Sequence, residues 1–236
     1  MSHRFVVGPG SIAGDRASLD GDQARQIATV LRLEPGERVV LVSDGEEVEV
    51  VLDRVGPRSV EGAVVARGPA SAEPRVKLVL ALPVLKGDRT EEVIAAVTQL
   101  GVARIVPYVS ARSVVREVGD AKRRRWLRVA TEAAETCRRG RVPEIAPLAV
   151  WPALFDALPA PVLVAWEGER ERALADALRA TDVLSLVIGP EGGLEDDEVS
   201  GARERGATTV SLGRRNLRSE TAAIAAVALA MAALDP

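Results

Sequence analysis

The stretch Val183–Leu194, VLSLVIGPEGGL, runs from an apolar segment, Val183–Ile188, straight into Gly189-Pro190-Glu191-Gly192-Gly193. A continuous rather than alternating apolar run reads as a strand covered on both faces. The loop at its carboxyl end is where open α/β sheets bind ligands. Its glycines allow backbone amides and carbonyls close to a ligand, and no Gly-Lys-Ser/Thr follows, so this is not a nucleoside-triphosphate loop. The arrangement recurs downstream: strand Thr208–Leu212, the loop Gly213-Arg214-Arg215-Asn216-Leu217-Arg218, then Ser219 as the N-cap of a last helix, Ser219–Leu234. Two glycine-led loops at neighbouring strand ends point to one shared pocket; taken singly, each also fits an ordinary tight turn from strand to helix.

Outward from these loops, apolar strands alternate with helices. Val76–Leu82, Ile105–Val109 and Val162–Trp166 join the two strands already named, and helices are expected over Asp88–Leu100, Asp120–Arg139, Glu169–Arg179 and Glu195–Arg205. This order predicts a parallel sheet with helices on both faces. In the first helix Asp88 is a candidate cap with Glu91 three residues on, Val93, Ile94, Val97 and Leu100 share a face, and Gly101 is a stop. The N-terminal part differs. Short valine-rich runs at Arg4–Val7, Arg38–Val42, Val48–Leu52 and Val60–Val65, broken by turn residues and one helix at about Gly21–Leu31, predict a β-rich unit. The small, proline-bounded stretch from Gly68 to Pro74 reads as a linker. The expected organisation is therefore a domain over 1–68, a linker over 69–75 and a second domain over 76–236.

Charged residues at 28% and hydrophobic ones at 47% describe a globular chain rather than a disordered or membrane one. The apolar stretch Ala222–Leu234 is too short to span a bilayer, and Met1-Ser2-His3-Arg4 leads into no signal-peptide core, so a cytoplasmic location is expected. A single cysteine and a single histidine exclude an internal disulfide and a Cys/His zinc cluster, and no metal is expected. The net charge of -3 hides a strong segregation: residues 122–141 hold eight Lys/Arg against Glu132 and Glu135, whereas residues 167–204 hold eleven acids against four bases. The basic run fits one face meeting a polyanion and equally fits a solvated helix face. Gly8–Ala13 matches a dinucleotide fingerprint of the GxGxxA form, but Gly14–Gly21 starts no helix with apolar periodicity, so cofactor binding there is not expected.

Ile188–Leu194 (IGPEGGL) and Leu212–Ala222 (LGRRNLRSETA) closely resemble the two cofactor-loop motifs of the ribosomal RNA uracil-N3 methyltransferases of the SPOUT superfamily. The resemblance extends through His3-Arg4-Phe5, Val30-Leu31-Arg32, Lys86-Gly87-Asp88-Arg89, Leu100-Gly101-Val102, Ser113-Val114-Val115 and Arg141–Ile145. It implies an α/β protein with an N-terminal PUA-like β-barrel, then a SPOUT domain whose C-terminal segment forms a trefoil knot. It also implies a homodimer, S-adenosyl-L-methionine as cofactor, and a uridine of 16S rRNA in the small ribosomal subunit as target. Departures fall outside GPEGG and RSET: Arg25-Gln26 stand where the family has histidine, Ala96 and Gln99 where it has Lys and Glu. Thr136, Arg138, Arg214 and Asn216 replace Gln, Gly, Pro and an aliphatic residue.

On this resemblance the cofactor pocket is expected from Leu163, Val164 and Ala165, with Trp166 at the same strand end, and from Ile188, Gly189, Pro190, Glu191, Gly192 and Gly193. Leu212, Gly213, Asn216, Leu217 and Ser219 complete it. Uracil N3 can attack a methyl sulfonium once its proton is lost, so no covalent nucleophile is needed. Cys137 accordingly reads as a packed thiol, and His3 as surface or RNA contact. Arg218 and Glu220 are the expected catalytic residues, with Arg112 approaching from a partner subunit or an adjacent loop. Glu220 would accept the proton, or the arginines would stabilise the uracil anion while water or hydroxide takes it. Phosphate contacts are expected from Arg4, Arg25, Arg32, Arg123, Arg124, Arg125, Arg139 and Arg141. Two other readings stay open: a SPOUT ribose 2′-O-methyltransferase, and an RNA-binding assembly factor without turnover.

Overall fold

The computed structural model describes residues 3–8, 10–70 and 72–235; Pro9 of the Gly8–Ala13 run and Ser71 of the expected linker lie outside the described residues. The chain divides into two compact units, one reaching from the N-terminus to Glu73 and including Ala134–Val142, the other comprising Pro74–Ala133 and the chain from Pro143 onward.

The first unit contains β1 (His3–Val6), β2 (Ile12–Ala13), β3 (Arg16–Asp20), α1 (Gly21–Arg25, prolonged by a π-helical turn Gln26–Val30), β4 (Arg38–Ser43), β5 (Glu46–Val55) and β6 (Ser59–Pro69). They form one sheet in the order β1-β4-β5-β6-β3-β2, parallel only between β1 and β4. Phe5, Leu19, Ile27, Leu41, Val50 and Leu52 fill its core. β2 and β3 occupy the stretch that the fingerprint-like glycines introduced, so a hairpin stands there and not a phosphate-binding helix.

The borrowed segment Ala134–Val142 is fastened by charge. The Glu73 carboxylate accepts hydrogen bonds from the backbone N–H groups of Gly140 (2.9 Å) and Arg141 (3.0 Å) and from Arg139 Nη2 at 3.1 Å. Arg138 adopts φ +64°, the left-handed conformation that favours glycine, at the position where the resembled family carries glycine.

The second unit contains β7 (Lys77–Pro83), α2 (Arg89–Gln99), β8 (Arg104–Val109), α3 (Asp120–Thr136, whose last turn belongs to the first unit), β9 (Glu144–Ile145), β10 (Ala149–Val150), β11 (Val162–Ala165), α4 (Leu174–Ala177), β12 (Val183–Ile188), α5 (Asp196–Glu204), β13 (Thr208–Val210) and α6 (Ser219–Leu234). The strands lie in the order β10-β8-β7-β12-β11-β13, with β9 on β8, and every pairing is parallel. This is an α/β fold built on a mixed sheet and a parallel sheet.

Three local readings change. Asp88 precedes α2 without a side-chain cap; Glu91 is instead buried, with Arg125 Nε 3.7 Å away. The helix expected over Glu169–Arg179 shrinks to the single turn α4. The Glu169 carboxylate takes the N–H groups of Glu171 (2.9 Å) and Arg172 (3.3 Å), and Ser211 N–H donates to Arg172 O at 2.8 Å. Those backbone groups are committed to a loop and to pairing beside β13, so a longer helix cannot form. Ser219 is the first residue of α6 and not its cap, which is Arg218.

Candidate active site

β11 lies between β12 and β13, so three consecutive parallel strands end side by side. Their carboxyl-end loops enclose a cavity of about 710 Å³. Ala165, Trp166, Glu167 and Arg170 come from the first loop, Ile188–Gly193 from the second, Ser211–Ser219 from the third, with Arg89 and Ala222 from α2 and α6.

The second loop is held from several directions. Tyr108, fully buried on β8, donates its hydroxyl to Ile188 O at 2.5 Å, and burial keeps that phenol protonated far above its usual range. Ser219 Oγ donates to Gly189 O at 2.8 Å, joining the two glycine-led loops directly. Lys86 N–H donates to Glu191 Oε1 at 3.2 Å, and Arg112 Nη1 to Gly192 O at 3.3 Å. Glycine is required at 192 because a Cβ there would lie 2.9 Å from Arg112 Cβ and 3.2 Å from Arg112 O. The backing loop is fixed in turn by Glu198, which accepts the N–H groups of Ala111 (2.9 Å) and Glu195 (3.0 Å).

The third loop is anchored at its base. Thr209 Oγ1 donates to Glu169 Oε2 at 2.7 Å, and Arg203 Nη2 donates to Thr209 Oγ1 at 2.8 Å. The Thr209 hydroxyl and the N–H groups of Glu171, Arg172 and Arg170 hold the Glu169 carboxyl at about 2. Beyond Leu212 the loop is exposed except at half-buried Leu217, and Gly213 takes φ +108°.

The RNA methyltransferase domain family matches residues 72–231. The ribosomal RNA small subunit methyltransferase E of Bacillus subtilis is 31% identical over 89% of this chain and 87% of that protein; the protein of the same name from Mycobacterium bovis is 35% identical over 91% and 85%. The chain belongs to this family. Among solved structures, a ribosomal RNA small subunit methyltransferase E from Neisseria gonorrhoeae bound to S-adenosyl methionine superposes with a TM-score of 0.89 at 28% identity, covering 99% of this chain and 98% of that one.

For this member of the ribosomal RNA small subunit methyltransferase E family, the residues expected from the two loop motifs stand as follows. Ile188, Gly189, Pro190, Glu191, Gly192, Gly193, Leu212, Gly213, Asn216, Leu217, Ser219 and Ala165 all line the cavity. Leu163 and Val164 do not: their side chains point to opposite faces of β11 and both are buried in the core. Arg218 is on the wall, whereas Glu220 and Arg112 are not. Arg112 comes from the adjacent loop of the same chain, with Nε 3.4 Å from Glu195 Oε1. Trp166, Glu167, Arg170 and Arg89 are wall residues to which sequence reading gave no side-chain role there; a position just past a strand end was the available signal for the first three.

The expected RNA contacts separate sharply. Arg139 is 3% exposed and paired with Glu73, so it is a structural cation unavailable to phosphate. Arg4 is half-buried, donating to Glu47 Oε1 at 3.0 Å and to Arg138 O at 3.2 Å. Arg125 and Arg141 are exposed but ion-paired, with Asp88 at 3.4 Å and Asp44 at 3.5 Å. Arg25, Arg32 and Arg124 are exposed, and Arg123 is half-exposed. Cys137 is half-buried with its thiol 3.6 Å from Ala134 O, and His3 is exposed.

Proposed function

We propose that this chain transfers a methyl group from S-adenosyl-L-methionine to N3 of a uridine in 16S rRNA of the small ribosomal subunit, in the cytoplasm. One observation carries the reading: the GPEGG motif and the Arg218-Ser219 half of the RSET motif wall one cavity and are joined by the Ser219 to Gly189 hydrogen bond. A volume of about 710 Å³ accepts a nucleoside-sized ligand. Open space around Gly213 lets backbone approach a ligand, and the carboxylates of Glu167 and Glu191 on the wall suit a cationic sulfonium. The bound cofactor supplies a methyl group on positively charged sulfur. The glycine-led loops would hold it, with Ala165 and Trp166 at the β11 end.

Loss of the N3 proton leaves an anion spread over the uracil oxygens, which a fixed cation stabilises. Glu220 stands behind the wall with Oε1 engaged by guanidinium groups, which favours water or hydroxide over Glu220 as the proton acceptor. Arg123 and Arg124, and separately Arg25 and Arg32, remain for phosphate contact.

The finer architecture belongs to the same proposal. The first sheet wraps a single core, as a PUA-like barrel does. β11 lies between β12 and β13, and α6 packs against α2, β7 and β12, which suits a C-terminal trefoil knot. Leu229 on α6 is half exposed, which suits burial in a homodimer. Nucleoside mass spectrometry of rRNA from a strain lacking the protein tests the function. Loss of 3-methyluridine is expected; loss of a 2′-O-methylated nucleoside, or no loss, would replace the reading with one of its two rivals.

A further inference from the structure

The first residue of α2, Arg89, enters the cavity wall. Its Nη1 lies 3.8 Å from Glu191 Oε1 and its Nε 3.8 Å from Glu220 Oε1. These separations are right for charge attraction and too long for hydrogen bonds. Among the described residues the Arg89 guanidinium donates no hydrogen bond, and its side chain is 42% exposed. Glu220 Oε2, buried behind it, likewise has no hydrogen-bond partner. The pair is thus charge-balanced but short of hydrogen bonds, and the donors open to the cavity are those of Arg89.

We propose that Arg89 is a catalytic residue of the methyl transfer, donating to a carbonyl oxygen of the target uracil as N3 loses its proton, with Glu191 and Glu220 as positioning residues that aim it. The proposal rests on the uracil-N3 reading. N3 gives its proton to water or hydroxide, the N3 lone pair forms the new N–CH3 bond, and the S–CH3 electron pair stays with sulfur as the sulfonium becomes a thioether. The negative charge that appears on the uracil oxygens between proton loss and bond formation is what the guanidinium meets. Preorganisation selects Arg89 among the cations present: Arg170, Arg214 and Arg215 also line the wall but form no ion pair among the described residues. Arg218 is 77% exposed with a single carboxylate oxygen 4.0 Å away, and Arg112 lies off the wall against Gly192. Arg89 alone of the three is on the wall and bracketed by two carboxylates from different loops.

The test uses the full-length protein with small ribosomal subunits from a strain lacking it, at saturating cofactor, following 3-methyluridine in a single turnover. Arg89→Met is expected to lower the rate roughly 100-fold to 1,000-fold, as loss of a donor to a developing oxyanion does. The deficit should narrow as pH rises and free solution chemistry removes the proton without help. Arg89→Lys, keeping the charge without the fork, should recover at least about 10-fold. Affinity for S-adenosylhomocysteine should stay within roughly threefold in both variants. Lost affinity with full rate at saturating cofactor would assign Arg89 to the cofactor and overturn the proposal. So would a pH-independent deficit equal in Met and Lys variants, the mark of a structural role. Wild-type protein that forms no 3-methyluridine would remove the underlying reading, and the proposal with it.

Discussion

The two glycine-led loops look alike in sequence and differ in how they are held. Ile188–Gly193 is tied by Tyr108, Ser219, Lys86 and Arg112, elements from four other parts of the second unit. At Gly213–Arg218 the hydrogen bonds among the described residues are local: Gly213 N–H donates to Ser211 Oγ at 3.2 Å, Ser211 Oγ donates to Gly213 O at 3.4 Å and Ala222 N–H donates to Arg218 O at 2.8 Å, and the loop is exposed except at half-buried Leu217. A loop tied to distant elements is a preformed wall; a loop with only local ties and mostly exposed backbone is drawn from the low-stability end of the molecule. One side of the cavity is thus tied to distant parts of the unit, and the other is held only by its near neighbours in sequence.

The largest expected effect comes from breaking the rigid side. Gly192→Val places side-chain atoms where Arg112 already stands, so the loop must move, and affinity for S-adenosylhomocysteine should fall at least ~100-fold, about 2.7 kcal/mol. Unchanged affinity by calorimetric titration would mean that this loop is not a ligand wall. Ser219→Ala removes one hydroxyl tie between the loops, leaving Gly189 O without it. A loss of about 5-fold to 10-fold in the same titration is expected, with Ser219→Thr closer to wild type.

Amide hydrogen exchange compares the loops directly. Binding of S-adenosylhomocysteine should slow exchange more at 213–218 than at 189–193, because the latter is protected beforehand. Equal slowing would erase the distinction drawn between them. The smallest effect concerns the base of the open loop. Glu169→Gln weakens the ties to Thr209 and Arg203, lowering Tm near neutral pH by about 2–4 °C, the equivalent of ~1 kcal/mol in a chain of this size. Because the carboxyl is held at about 2 against an ordinary 4.5, its stabilisation is complete above about 4.5 and disappears as pH falls through about 2. The Tm gap between wild type and variant should close over that interval, and a gap that persists below it would deny the carboxylate this role.

The basic run 122–141 shows how little charge alone decides. Arg123 and Arg139 read identically in a linear chain, yet one stands partly in solvent and the other is closed in on Glu73. Breaking such a buried pair leaves an uncompensated charge, whereas removing a surface arginine costs little stability. Arg138 makes the same point: a left-handed φ at a non-glycine residue has no signature in local composition.

The sequence by itself determined the strand runs of the second unit and the two glycine-led loops that follow them. Long apolar strands and glycines at their ends are local features, dictated by burial on both faces and by backbone steric limits. It also carried the family, through the GPEGG and RSET motifs. Only the tertiary structure decided which residues of those segments face the cavity. Leu163 and Val164, on opposite faces of β11, are both closed into the core by the elements packed over the two faces of the sheet. The helix expected after Glu169 is replaced by a loop because that carboxylate meets Thr209, forty residues away. Arg89 reaches the wall because α2 begins beside loops that lie more than a hundred residues downstream. Periodicity records which face of an element is buried; it holds no information about which distant segment does the burying, and the chemistry of this site depends on that second fact.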